Sequence, residues 1–380
     1  VYASLARTGP IHRIMLPNGP PVWLVTGHSQ VRALLNDPRL VREPPPGAMM
    51  LRTARPDLYN AMESHIIYHD GNDHARLRRL IGAAFTRRRI EALTPRIHQI
   101  VDDLLADLDQ TAPTDLIAGY AYPLPMTVIC ELIGMPEKDR AQFREASSTV
   151  MKGTPFISDD EYIAAAENLV SIIRSSLVDH RAQPADDLLT DLITARDGSD
   201  RLSEDELTST VSVLVIAGHD TTVNLITNGI HALLTHPDQL DRLHRQPDLI
   251  APAVEELLRF ESPLQVGLPL LATESLELDG VDIAAGELLI PALLAGNRDP
   301  DRIPDPDSLD IGRDPNPHLA FGHGIHHCLG APLARLEGRI ALASLLDRYP
   351  RLRLAVAPEQ LNYKPSFLIH GLETLPVTLT

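Results

Sequence analysis

Cys328 lies near the end of a run of unusual composition, Phe321-Gly322-His323-Gly324-Ile325-His326-His327-Cys328-Leu329-Gly330. Two glycines ahead of the cysteine let the loop turn tightly and lie close against a flat ligand. Gly330, Ala331 and Pro332 fit the start of a helix, where proline is tolerated in the first turn. A thiol just before a helix N-terminus has its pKa lowered by the helix dipole and by nearby N–H donors. A permanent thiolate is what an electron-donating iron ligand requires. The three neighbouring histidines also suggest zinc. Structural zinc sites usually pair ligands from two separated turns, however, and the sequence has no second Cys/His knuckle. A structural loop with an incidental cysteine is the remaining alternative, and a pattern this long is seldom accidental.

Three further groupings carry chemical side chains. Ala217-Gly218-His219-Asp220-Thr221-Thr222 is a polar island within an apolar run. Two hydroxyls and a carboxylate are costly on an apolar helix, and Gly218 weakens it by about 1 kcal/mol relative to alanine. Taken alone, a structural kink explains the island as well as a function does. Glu256 and Arg259 stand at i, i+3, on one helix face; alone this is a weak signal, because surface pairs contribute little. His74 and Arg78 stand at i, i+4 and can reach one anionic group together. A solvated basic helix suits Arg76 and Arg79 better.

The surrounding chain reads as mostly helical. Helices are expected over residues 71–84, 95–109, 161–180, 203–235, 247–260 and 331–347, and a strand over 22–26 is followed by a helix capped by His28-Ser29 and stopped at Pro38. Residues 264–291 alternate short strand-like runs with turns such as Asp279-Gly280. Residues 43–70, rich in Pro and Met, read as an irregular stretch, and a loop of that length is usually functional. Cys130, inside an apolar run, reads as a small core residue. The expectation is one mainly α domain with a minor β portion over residues 1–380.

Composition narrows the partners. With 51 acidic against 34 basic side chains the net charge is -17, which argues against nucleic acid or an anionic membrane surface as the general partner. Two cysteines leave no disulfide framework and point to a reducing, cytoplasmic setting. No run approaches the ~18 apolar residues of a membrane span. The chain begins at Val1 without a methionine, so its start is read as incomplete.

The Cys328 run resembles the cytochrome P450 haem-binding loop, Phe-Gly-x-Gly-x-His-x-Cys-x-Gly, without a departure, and the other three groupings fall in that family's order. The resemblance covers nearly the whole chain from about Val22 and is best to soluble bacterial members. It implies the single-domain cytochrome P450 fold and haem b (iron protoporphyrin IX), with Cys328 as the axial ligand. Phe321, Gly322, His326, Gly330, Ala217, His74 and Arg78 would lie at the cofactor, the last two and His326 toward its propionates. Asp220 and Thr221 match the family's acid–alcohol pair, the carboxylate relaying protons and the hydroxyl positioning oxygen and water. Glu256 and Arg259 match its buried structural pair, with Arg313 as the arginine that joins them. One departure is that the aligned propionate-binding arginine is Leu270; no Lys or Arg occurs between Arg259 and Arg298.

The activity implied is a monooxygenase of secondary metabolism that uses O2 and two electrons to hydroxylate or epoxidise a lipophilic small molecule such as a polyketide, macrolide, terpene or steroid. Met49, Met50, Ile216, Leu264, Val266 and Leu268 are the expected substrate contacts. A ferredoxin and an NAD(P)H-dependent ferredoxin reductase would supply electrons to a monomer. Residues 76–89 hold six arginines (Arg76, Arg78, Arg79, Arg87, Arg88 and Arg89) and no acid, which suggests a docking patch for an acidic donor. Two rivals are a haem carrier without turnover, which would not need Asp220 and Thr221, and a peroxygenase or dehydratase, which often replaces one of them.

Overall fold

The computed structural model describes residues 5, 8–16, 20–42, 51–152, 157–195 and 199–379. The helices, in chain order, are α1 (His28–Leu34), α2 (Pro56–Glu63), α3 (Gly71–Ala84), α4 (Arg87–Ala92), α5 (Thr94–Ala106), α6 (Pro123–Ile133) and α7 (Glu137–Lys152). They continue with α8 (Asp159–Ala182), α9 (Leu188–Thr194), α10 (Glu204–Thr235), α11 (Pro237–Arg245), α12 (Ile250–Phe260), α13 (Leu293–Gly296) and α14 (Ala331–Arg348). The strands are β1 (Ile11–Met15), β2 (Pro21–Val25), β3 (Leu40–Arg42), β4 (Thr114–Asp115), β5 (Leu270–Ala272), β6 (Leu276–Leu278), β7 (Val281–Ile283), β8 (Leu288–Pro291), β9 (Arg353–Leu354) and β10 (Pro376–Thr378). Helix dominates, as expected. None of the described helices is long and apolar enough to cross a membrane.

Two compact units are present, one of Val1–Val41, Ala92–Leu124 and Thr221–Thr380, the other of Arg42–Glu91 and Pro125–Asp220. The first carries a mixed sheet of order β1-β2-β8-β5-β3. β1 and β2 run antiparallel with Ile11 opposite Val25, while β2 and β8 run parallel with Trp23 opposite Leu289. The period of two along a strand sorts side chains onto two faces. Val25 and Leu289 join Val31, Leu34, Leu270 and Leu319 in one core, whereas Val22, Leu24 and Ile290 pack with Val266, Ala292 and Ala295 in another. The Asp279-Gly280 turn joins β6 to β7 with positive φ at both residues, 51° and 78°, the conformation that suits a two-residue hairpin.

In the second unit α8 starts with a capping box: Ser158 Oγ accepts from the Glu161 N–H, and the Glu161 carboxylate accepts from the Ser158 N–H. At its far end His180 Nε2 lies 3.0 Å from Asp187 Oδ2, and Asp187 caps α9 through the Thr190 N–H at 2.8 Å. Cys130 is buried, and burial pushes its thiol up to about 11, so it is an inert core residue.

Several expectations need correction. Residues 43–70 are not one irregular loop, since α2 and a 3-10 turn at Ile66–Tyr68 occupy part of it. Pro56 sits in the first turn of α2, and Leu58, Ala61 and Met62 give it a short buried face. Met49 and Met50 lie outside the described residues. The expected helix over 247–260 opens as a 3-10 turn, Pro247–Leu249, before α12 begins. The N-cap of α1 is Gly27, not His28-Ser29; the His28 N–H donates to Asp299 Oδ2 at 2.7 Å, and its ring lies 2.7 Å from the Pro317 carbonyl oxygen.

Candidate active site

The first unit contributes the cysteine loop. Gly322 and Gly324 both take positive φ, 69° and 74°, and a Cβ on Gly324 would come within 2.6 Å of the Leu35 carbonyl oxygen. Glycine is therefore required there both by conformation and by close approach. The chain folds back so that the Cys328 N–H donates to the Phe321 carbonyl oxygen at 3.0 Å, and α14 begins three residues later. Cys328 is exposed. A Cβ on Gly330 would stand 3.8 Å from Cys328 Sγ, so glycine keeps that side of the sulfur open. His323 accepts from Arg32 Nε at 3.1 Å; no group of three or more His, Cys, Asp or Glu among the described residues could hold a metal ion, which leaves the zinc alternative without a ligand set.

Behind the loop, Glu256 collects donors. Arg259 donates to both of its oxygens, Arg313 Nε donates at 3.1 and 3.2 Å, Asn316 Nδ2 at 3.0 Å and the Asp310 N–H at 2.9 Å. Arg259 also donates to the carbonyls of Asn297, Pro306 and Ser308, and Arg313 to those of Pro304, Asp305 and Ser308. The pair thus straps the irregular chain ahead of the cysteine loop through its backbone oxygens. Full burial of both partners is tolerable only because every charge meets a partner.

The polar island sits on α10, which stays helical from Glu204 to Thr235. Leu214, Ala217, Gly218 and Thr221 share one face; Ala217 is exposed and the other three half-buried, while Val215, His219, Thr222 and Val223 are buried. Asp220 is half-buried. A Cβ on Gly218 would meet only Ile129 Cδ1, at 3.9 Å, so packing does not demand glycine there. On α3, His74 is buried and Arg78 half-buried, and among the described residues Arg78 has no hydrogen-bond or ion-pair partner.

Other expected site residues fare differently. Ile216, Leu264 and Leu268 are half-buried, and Val266 is 2% exposed and packs with Val22, Leu24 and Ile290. Leu270 is likewise core, against Leu289 and Val25. Within the six-arginine patch, Arg76 and Arg89 are neutralised by acids distant in sequence and Arg87 by one four residues on. Arg76 pairs with Glu206 and Asp200, Arg87 with Glu91 and Arg89 with Asp186 and Asp191. Only the local absence of acids had suggested a free patch.

Sequence reasoning missed two features. The chain at 366–369 lies beside 264–265, with Leu264 bridged to Ile369 and the Gln265 amide Nε2 donating to the carbonyls of Ser366 and Ile369. It also missed Glu255, His318 and Arg335, which cluster beside Phe321. No local spacing connects either set.

The cysteine loop of the first unit fits a planar iron complex: an exposed thiol stands on a loop opened by glycine, before a helix N-terminus. In the second unit, Arg78 is a cation that no described acid neutralises.

Comparison with known proteins agrees. The family model described as Cytochrome P450 matches residues 158–372. A vitamin D(3) 25-hydroxylase of Pseudonocardia autotrophica is 45% identical over 379 residues, covering 100% of this chain and 93% of that protein. A mycinamicin IV hydroxylase/epoxidase of Micromonospora griseorubida is 41% identical, covering 99% of this chain and 94% of its own. The solved structure of the tirandamycin C-bound P450 monooxygenase TamI matches with a TM-score of 0.89 at 42% identity, covering 100% of this chain and 96% of that one. On the strength of this loop, this fold and these relatives, the chain belongs to the cytochrome P450 family and is a haem b monooxygenase.

Proposed function

We propose that this enzyme hydroxylates or epoxidises a lipophilic secondary metabolite of polyketide, macrolide, terpene or steroid type, and that its two compact units serve as one catalytic domain. The observation that carries the reading is the open face of α10, where apolar Leu214 and Ala217 lead directly to Asp220 and Thr221. Ile216, on another side of the helix, and Leu264 and Leu268 are half-buried apolar residues and the other candidate substrate contacts. The names of relatives that act on vitamin D(3) and mycinamicin IV, and the tirandamycin C complex, support this substrate class.

The haem, when bound, activates O2 with two electrons from a redox partner. Cys328 would hold the iron as a thiolate, kept charged by the N-terminus of α14. His74, Arg78 and His326 would meet the propionates, and Leu270 would leave one of them less tightly neutralised. Thr221 Oγ1 would hold a proton where oxygen reacts, and the Asp220 carboxylate would replace it from water. Phe321, Gly322, Gly330 and Ala217 would lie against the macrocycle, where small residues permit close approach.

Electrons would come from a ferredoxin and its NAD(P)H-dependent reductase, in a cytoplasmic monomer. Its footprint on the arginine helices would be smaller than six residues, with exposed Arg88 at its centre. The test is Cys328→Ser, reduced and treated with CO. Loss of the red-shifted Soret band with haem still bound is the expected result, and an unchanged band would overturn the reading.

A further inference from the structure

We infer that Glu255 is a positioning residue for the Cys328 thiolate, acting through Arg335 and His318 on Phe321. The inference rests on the reading of Cys328 as the iron ligand. Glu255 and Glu256 are neighbours on α12, and about 100° of helical rotation separates their side chains. Glu256 serves the chain ahead of the cysteine loop, and Glu255 serves the loop itself. Arg335, in the second turn of α14, donates to Glu255 through Nε at 2.7 Å and Nη2 at 2.8 Å, a bidentate pair. His318 Nε2 lies 3.0 Å from the same carboxylate. His318 Nδ1 accepts from the Ala320 N–H, which leaves Nε2 to donate to Glu255.

Both arms close on Phe321. The Arg335 guanidinium carbon stands 4.4 Å from the Phe321 ring centroid, within cation–π range, and the His318 ring lies 6.0 Å away and tilted by 53°. Phe321 in turn supplies the carbonyl that receives the Cys328 N–H. One carboxylate therefore fixes a ring whose backbone fixes the sulfur. Burial alone would raise the Glu255 carboxyl, but hydrogen bonds from His318 and Arg335 outweigh it and hold it down to about 2, so the carboxylate keeps its charge.

The side chains of Glu255 and Arg335 are 31% and 32% exposed, and pairs that wet contribute little to global stability. Their role should therefore show at the thiolate and not in unfolding. Supporting residues of this kind typically change metal-site properties by roughly 10–100-fold.

The experiment uses purified holoenzyme and the variants Glu255→Gln, Arg335→Lys and Arg335→Leu, with Arg339→Gln on the same helix as control. Three readouts are taken: the reduction potential, the rate at which the red-shifted ferrous–CO band converts to the ordinary one in mild denaturant, and the urea midpoint. We expect conversion about tenfold faster in Glu255→Gln and Arg335→Leu, with a shifted potential, an intermediate Arg335→Lys, and a control and urea midpoints like wild type. Should Arg335→Leu fail to fold, the other two variants decide. Wild-type conversion and potential in Glu255→Gln, or acceleration no greater than its loss of urea midpoint accounts for, would overturn the inference alone. A wild type without the red-shifted band would instead overturn the thiolate reading and the inference with it.

Discussion

The Arg259 guanidinium grips the Glu256 carboxylate with two parallel hydrogen bonds, Nε to Oε2 at 2.7 Å and Nη2 to Oε1 at 2.8 Å, and neither side chain has any solvent exposure. Removing one partner of a buried pair leaves the other charge uncompensated, at a cost of about 3–5 kcal/mol. Arg259→Leu should therefore lower the urea midpoint and the haem-to-protein ratio of the purified enzyme together. Arg259→Lys should rescue little, because an ammonium cannot reproduce the fork that also reaches Asn297, Pro306 and Ser308. A Lys variant with wild-type midpoint would show that charge alone suffices.

Thr221→Ala should uncouple NAD(P)H consumption from oxidation, with peroxide released in place of product. On the proposed reading, the half-buried Thr221, one turn from exposed Ala217, would hold a proton on the open face of α10. Asp220→Asn should slow turnover by about 10²-fold or more, the usual scale for a lost proton-transfer group. Product and peroxide per NAD(P)H, measured with a substrate found by spectral-shift screening, decide both. Undiminished coupling in Thr221→Ala would assign the proton to another group.

The arginine helices separate three outcomes that composition alone would merge. Arg78→Leu should weaken haem retention, measured by transfer to apomyoglobin, because Arg78 has no acid partner among the described residues. Arg76→Glu should lower the midpoint of unfolding, since it places like charges against Glu206 and Asp200. Arg88→Glu should slow reduction by ferredoxin and flatten its salt dependence, as the Debye length shrinks to roughly 3 Å at 1 M. Equal reduction rates and salt slopes for wild type and Arg88→Glu, by stopped flow under CO, would remove Arg88 from the docking surface.

Glu337 on α14 is fully buried, and burial pushes its carboxyl up to about 8 from an ordinary 4.5. The folded state thus holds this proton more tightly than the unfolded chain does. Its contribution to stability is fully present below about 4.5 and is lost as the pH rises through about 8. Glu337→Gln, which stays neutral, should therefore unfold at a higher urea concentration than wild type above about pH 8, with the gap closing in acid. Parallel midpoints across that range would mean that the carboxyl is neutral in neither state or in both.

Much of the site is legible in short spacings. The Phe321–Gly330 pattern marks the cysteine loop, the polar island marks the open stretch of α10, and the i, i+3 spacing pairs Glu256 with Arg259. Each is local, because helix periodicity and glycine conformations are decided within a few residues. The long α10 and the 71–84 helix follow from the same cause. The tertiary structure alone decided which distant groups meet. Glu255 finds Arg335 eighty positions away, Arg76 finds Glu206, and Val266 packs beside Val22 and Ile290. Residues 56–63 became helical because their few apolar side chains found a buried place. Such outcomes depend on which surfaces the folded chain brings together, and burial and charge pairing between segments far apart in sequence leave no trace in the spacing of either one.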